Sequence, residues 1–143
     1  MSEYQADPDQ GDTLAEAVWS VARLLRRTSV ASLARWDVSP SQSRALRVLT
    51  RCGPIRLSAL SEHLHIAPRS VTEVVDGLEA KGLVERQPDP QDRRATLVAV
   101  TAHGVEVREQ IHSTQGVETE RIFDRLDPTD RDHLARILRA LRS

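Results

Sequence analysis

The sequence predicts a mainly α fold with a small β-wing: a winged helix-turn-helix core flanked by N- and C-terminal dimerisation helices. Three observations predict it. Two helical segments are joined only by His65, Ile66 and Ala67, the spacing of a helix-turn-helix. Directly after them the apolar period shifts from helical to strand-like around a proline- and aspartate-rich turn. Both ends of the chain carry apolar stripes that a core of this size cannot cover alone, so a second copy is expected to cover the rest.

Residues 1–11 read as a disordered tail, because they are acidic and hold Pro8 and Gly11. Thr13 and Glu16 form a capping-box pattern at the start of the first helix, whose stripe is Leu14, Val18, Val21 and Leu25. A weakly patterned connection surrounds Trp36. Ser39, Pro40 and Gln42 then supply an N-cap, an N1 proline and an N3 partner for a helix ending near Gly53 and Pro54.

A short helix from about Leu57 to Leu64 follows. The next runs from Pro68 to Lys81, with Val71, Val74, Val75 and Leu78 at i, i+3, i+4 and i+7 and Gly82 after its end. "LVERQ" and "RATLVAV" read as two strands joined by a loop of five or six residues containing Pro88, Asp89, Pro90 and Asp92. After Thr101 one long helical stretch reaches Leu126. Asp127 and Pro128 then open a last helix striped by Leu134, Ile137, Leu138 and Leu141. The expected division is a tail at 1–11 and one domain at 12–143. Within that domain, 12–36 and 102–143 are expected to dimerise and 39–101 to form the winged helix-turn-helix core.

Composition excludes several classes. No apolar stretch approaches a bilayer span and no signal-peptide pattern opens the chain, so the expected location is the cytoplasm. One cysteine, Cys52, allows no internal disulfide, and as the end of a helix it is expected to be packed. Two Trp, one Tyr and one Phe are too few for a base-stacking platform. The six glycines form no phosphate loop, and no G-x-S-x-G nucleophile motif is present. Glu62, His63 and His65 do not make a metal site, since residues two apart on a helix point to different faces. Neither an enzyme nor a cofactor is expected.

A formal net charge of -1 conceals a segregation. Residues 1–16 hold Glu3, Asp7, Asp9, Asp12 and Glu16 with no Lys or Arg, while Arg44, Arg47, Arg51 and Arg56 lie in an acid-free stretch from Val38 to Ser61. Arg93 and Arg94 stand at the hairpin tip, where they cannot help a core. A recognition helix in the major groove brings such a tip alongside the DNA backbone, where arginines reach phosphates or the minor groove.

The ordered set "LSALSEHLHIAPRSVTEVVDGLEAKGLVERQPDPQDRRATLVAVT" resembles the winged core of the MarR (multiple antibiotic resistance regulator) family of bacterial transcription regulators. Its most specific parts are "VDGLEAKGLVER" and Asp92 and Arg94 followed by "LVAVT"; the resemblance extends over about residues 12–143. It implies a homodimer with interleaved terminal helices on a near-palindromic operator, a wing arginine in the minor groove, and a small anionic or aromatic ligand between the dimerisation helices and the winged domain. Two departures stand out. Glu73 occupies a position that is basic in many relatives, and Ala67 one where Ser or Thr often caps the recognition helix.

If Val71, Val74, Val75 and Leu78 face the core, a step of about 100° per residue turns Arg69, Glu73 and Asp76 outward, with Thr72 at the border and Ser70 near the N-terminus. The expected DNA contacts are therefore Arg69, Ser70, Thr72, Glu73 and Asp76, with Arg93 and Arg94 on the wing. Trp19, Arg23, Trp36 and His112 are the candidates for an effector site, since an indole wall beside a cation suits an aromatic acid. The function expected is a ligand-responsive repressor. The alternatives are a thiol-based oxidation sensor using Cys52 and a winged-helix module that binds protein.

Overall fold

The computed structural model describes residue 11 and residues 13–143. The expected tail lies outside the described residues except for Gly11. Six helices and a three-stranded antiparallel sheet follow in the order α1 (Leu14–Ser32), α2 (Pro40–Cys52), β1 (Ile55–Arg56), α3 (Leu57–Leu64), α4 (Pro68–Ala80), β2 (Val84–Pro88), β3 (Thr96–Val100), α5 (Ala102–Glu120) and α6 (Pro128–Leu141). Short 3-10 turns at Leu33–Trp36 and Arg121–Arg125 extend α1 and α5. The chain divides into two compact units, one of residues 32–117 and one that includes the rest.

The larger unit is built on the helix signals read from the sequence. Ser39 accepts the Gln42 N–H at 3.1 Å while the Gln42 carboxamide accepts the Ser39 N–H at 3.0 Å, closing a capping box at α2. Ala45, Leu46, Val48 and Leu49 of α2, Leu60 and Leu64 of α3, and Val71, Val75 and Leu78 of α4 are buried against one another and against Val84 and Val98 of the sheet. Two residues of α5, Val107 and Ile111, join the same core.

The turn between α3 and α4 is tight because His65 takes a left-handed φ of 54° and the Ser61 hydroxyl donates to the Ile66 carbonyl at 2.7 Å. Arg44 of α2 donates to the Leu64 carbonyl at 2.8 Å, satisfying one of the free acceptors at the end of α3. Ala67 makes no side-chain cap, and Pro68 opens α4 in its place.

Sheet order is β1-β3-β2, with Ile55 opposite Val98 and Arg86 opposite Val98 on the other side. The two-residue β1 has no periodicity of its own and was not expected from the sequence. The hairpin loop is longer than expected, seven residues from 89 to 95, because the Ala95 N–H closes a turn on the Asp92 carbonyl at 3.0 Å and delays the second strand to Thr96. After β3 the chain enters α5 so close to β2 that a Cβ on Gly104 would strike the Leu83 carbonyl and the Val100 side chain. Only glycine fits there.

The other unit contains α1 and α6. The Thr13–Glu16 capping box forms, with Thr13 N–H to the Glu16 carboxylate at 2.8 Å and Glu16 N–H to the Thr13 hydroxyl at 3.2 Å. Arg131 of α6 bridges Glu120 at 2.6 Å and Asp124 at 3.1 Å. Leu14, Val18, Trp19 and Val21 of α1 and Ile137, Leu138 and Leu141 of α6 are exposed.

Candidate nucleic-acid interface

Helix α4 buries Val71, Val75 and Leu78 and half-buries Val74, which turns Arg69, Ser70, Thr72, Glu73 and Asp76 to solvent. The outward set read from the sequence is therefore on one exposed face. The Thr72 hydroxyl donates to the Pro68 carbonyl of its own helix at 3.2 Å and keeps its lone pairs for an incoming donor.

Asp76 has a different neighbour from the one its exposure suggests. Arg86 on β2 donates to Asp76 at 2.7 Å and to Glu79 at 2.9 Å. The hydrogen bond to Asp76 raises the Arg86 pKa above its ordinary value, outweighing partial burial, with Glu79 adding to the effect. Arg86 thus offsets one of the two negative charges on the last turns of α4 and ties the helix to the first wing strand. Sequence reading missed this residue. Its signal was the i, i+3 pair Asp76 and Glu79, two acids on one helix edge that call for a cation.

The wing is anchored from below. Arg56 of β1 holds Asp89 through Nε at 2.9 Å and a terminal nitrogen at 2.7 Å, and the other Asp89 oxygen accepts the Gln91 N–H at 2.9 Å. That N–H, then the Arg56 guanidinium, hold the Asp89 carboxyl below the usual carboxylate range. At the tip, Asp92 accepts the Arg94 backbone N–H at 3.0 Å, so it shapes the turn and leaves the guanidinium unpaired. Arg93 and Arg94 are both exposed, and their side chains have no partner among the described residues.

The arginine cluster between residues 44 and 56 does not form one surface. Arg44 caps α3 and Arg56 anchors the wing, whereas Arg47 and Arg51 line a cavity of about 280 Å³ with Thr50, Arg108, Glu109 and His112. Cys52, expected to be packed, is exposed, because it is the last residue of α2 and the chain turns away at Gly53 with φ 74°.

The effector candidates are distributed over both units. Trp19 and Arg23 lie exposed on α1, in the smaller unit. In the larger unit Trp36 donates its indole N–H to Gln110 at 3.1 Å and lines a cavity of about 280 Å³ with Asp37, Lys81, Leu83, His103, Val107 and Gln110. Lys81 reaches the Asp37 carbonyl and, at 3.1 Å, the Gln42 carboxamide. His112 lines the arginine cavity instead, and Glu109 of that cavity also lines one of about 420 Å³ that Trp36 shares with Gln110, Ser113 and Thr114. Among the described residues no group of three or more His, Cys, Asp or Glu is placed to hold a metal, and no helix is long and apolar enough to cross a membrane.

Comparison with known proteins gives concordant matches. Residues 38–96 match the MarR family model. The HTH-type transcriptional regulator YkoM of Bacillus subtilis is 30% identical over 101 residues, 71% of this chain and 66% of that protein, so the match spans just under two thirds of its length. The HTH-type transcriptional regulator ML2140 of Mycobacterium leprae is 32% identical over 121 residues, 85% of this chain and 80% of its own. Among solved structures, a Staphylococcus aureus MepR mutant bound to an oligodeoxyribonucleotide shares the fold at a TM-score of 0.76 and 17% identity, covering 92% of this chain and 96% of that one.

Proposed function

Because the chain belongs to the MarR family of winged helix-turn-helix transcription regulators, we propose that it binds double-stranded DNA as a homodimer and represses transcription from a near-palindromic operator. One observation carries the reading. The exposed polar face of α4, from Arg69 to Glu73, and the two unpaired wing arginines belong to one compact unit whose other sheet arginines, Arg56 and Arg86, are paired with acids. A free guanidinium at a wing tip, next in sequence to a helix-turn-helix, suits phosphate or minor-groove contact. The MepR structure of the same fold, bound to an oligodeoxyribonucleotide, supports DNA as the partner.

The uncovered apolar residues of α1 and α6 support a second copy as the other partner, since a monomer seldom leaves Leu14, Trp19 and Leu141 more than 60% exposed together. For a small effector, the cavity beside Trp36 combines an indole wall with the Lys81 ammonium, which suits an aromatic acid. Footprinting on the DNA flanking its own gene, with sedimentation of the free protein at micromolar concentration, tests the reading. A protected pair of half-sites and a dimer are expected. A monomer with intact helices, or protection of no sequence over random DNA, would overturn it.

A further inference from the structure

We infer that Lys81 is a positioning residue for DNA recognition: its ammonium latches the end of α4 to the start of α2 and so fixes the tilt of the helix whose outer face reads DNA. The inference rests on α4 being that helix, and it adds to that reading the group that aims it.

Lys81 is the one lysine of the chain. Its side chain is partly buried, and its ammonium donates to the Asp37 carbonyl and, at 3.1 Å, to the Gln42 carboxamide oxygen, with the Asp37 carboxylate 3.9 Å away. The three donors of the ammonium thus face two hydrogen-bond acceptors and a carboxylate. Asp37 presents its carbonyl from a left-handed φ of 52° at the end of the 3-10 turn.

The Gln42 oxygen is shared. It also accepts the Ser39 N–H of the α2 capping box at 3.0 Å, so one carboxamide closes the box and receives the lysine. Against its nitrogen lies Gly77, where a Cβ would strike the Gln42 side chain. Glycine in a helix interior weakens the helix relative to alanine. Its presence in "VDGLEAKG" is accounted for by the seat it leaves for Gln42.

The core contacts of α4 through Val71, Val75 and Leu78 are apolar and carry no direction, whereas the latch is directional. Thr101 holds the exit of α4 from the other side, with its hydroxyl donating to the Gly82 carbonyl at 2.7 Å and its N–H to the Leu83 carbonyl at 3.0 Å. At the far end Ala67 supplies no side-chain cap. The helix is therefore tied where it ends and carries its outward residues toward the free end. At a rise of about 1.5 Å per residue Arg69 stands about 18 Å from Lys81, so a tilt of roughly 10° moves it by about 3 Å. That is a hydrogen-bond length. Base contacts do not survive such a shift, while long side chains can still reach phosphates, so loss of the latch costs specificity before it costs general affinity.

Anisotropy titrations across a salt series, comparing the footprinted sequence with random duplex DNA, test this. Lys81→Met should weaken binding to the footprinted sequence about tenfold, leave random duplex within about twofold and leave the salt slope unchanged. Lys81→Arg, which restores the charge and the donors, should recover most of the loss. Gly77→Ala should lose specificity as well, although alanine is the better helix former, and should add little to Lys81→Met because both act through Gln42. Without DNA, isotopic labelling of lysine nitrogen gives a single side-chain ammonium signal in NMR spectra. Its protons should exchange more slowly than those of free lysine, and faster in Gly77→Ala than in the wild type. A salt slope lower by about one unit in Lys81→Met would make the lysine a phosphate contact and overturn the latch. Unchanged specificity in both variants would overturn it too, as would an equal loss on both DNAs with a lower melting temperature, or ammonium exchange as fast as in free lysine. Wild-type protein that prefers no sequence would overturn the DNA reading and the latch together, and that result is seen before any variant is made.

Discussion

Arg56, on a strand of only two residues, holds the buried carboxylate of Asp89 at the base of the wing with nitrogens at 2.7 and 2.9 Å. The pair joins the entrance of the helix-turn-helix to the loop that carries Arg93 and Arg94. A wing fixed at its base presents those arginines without ordering them afresh on each encounter, and preorganisation of this kind favours affinity.

Asp89→Asn should therefore loosen the wing and weaken operator binding about tenfold while the helical circular dichroism stays the same. The pair also sets an acid dependence. The folded carboxyl titrates below its ordinary value of 3.8, so its stabilisation is complete well above that value and is lost as pH falls through the lower folded value. Urea denaturation of both proteins from pH 7 to pH 3 checks this: the gap between wild type and variant should narrow only at the acid end.

Arg94→Ala should weaken operator binding by about 1–3 kcal/mol and lower the salt slope by roughly one unit, leaving base preference nearly unchanged. Melting temperature should not move, since the guanidinium has no internal partner among the described residues. Anisotropy titrations across a salt series, with a thermal melt, separate these effects. A lower melting temperature at unchanged affinity would assign Arg94 to the fold.

Arg86→Ala should lower affinity for every DNA sequence alike, roughly tenfold, by leaving Asp76 and Glu79 uncompensated beside a polyanion. Adding Asp76→Asn and Glu79→Gln to that variant should restore most of the loss. A double-mutant cycle on operator affinity measures the coupling. Independent, additive effects would show that the ion pairs do not serve binding.

Glu73 distinguishes base reading from backbone proximity. If its carboxylate accepts from a cytosine N4, Glu73→Gln shifts the preferred base at one position per half-site by roughly 1–3 kcal/mol. If it lies near phosphates, the same change tightens binding to all sequences equally. A randomised-operator selection on both proteins gives the answer, and no change of either kind would mean that this face stays out of the groove.

The sequence by itself determined the elements and their order, β1 excepted. The capping boxes at Thr13 and Ser39, the prolines at the starts of α2, α4 and α6, and the buried stripe of α4 are all local signals, each resting on residues within a turn or two of one another. The outward face of α4 follows from the same periodicity. Tertiary structure alone decided what the charges do. Arg44, Arg47, Arg51 and Arg56 look alike along the chain, yet one caps α3, two open onto a cavity and one anchors the wing. The strand β1 exists because β3 offers it backbone partners, and Asp76 is answered by Arg86 because the hairpin returns β2 alongside α4. The reason is one of range: helix periodicity and caps act through backbone geometry a few residues long, whereas a charge pairs with whatever the folded chain brings within about 4 Å of it.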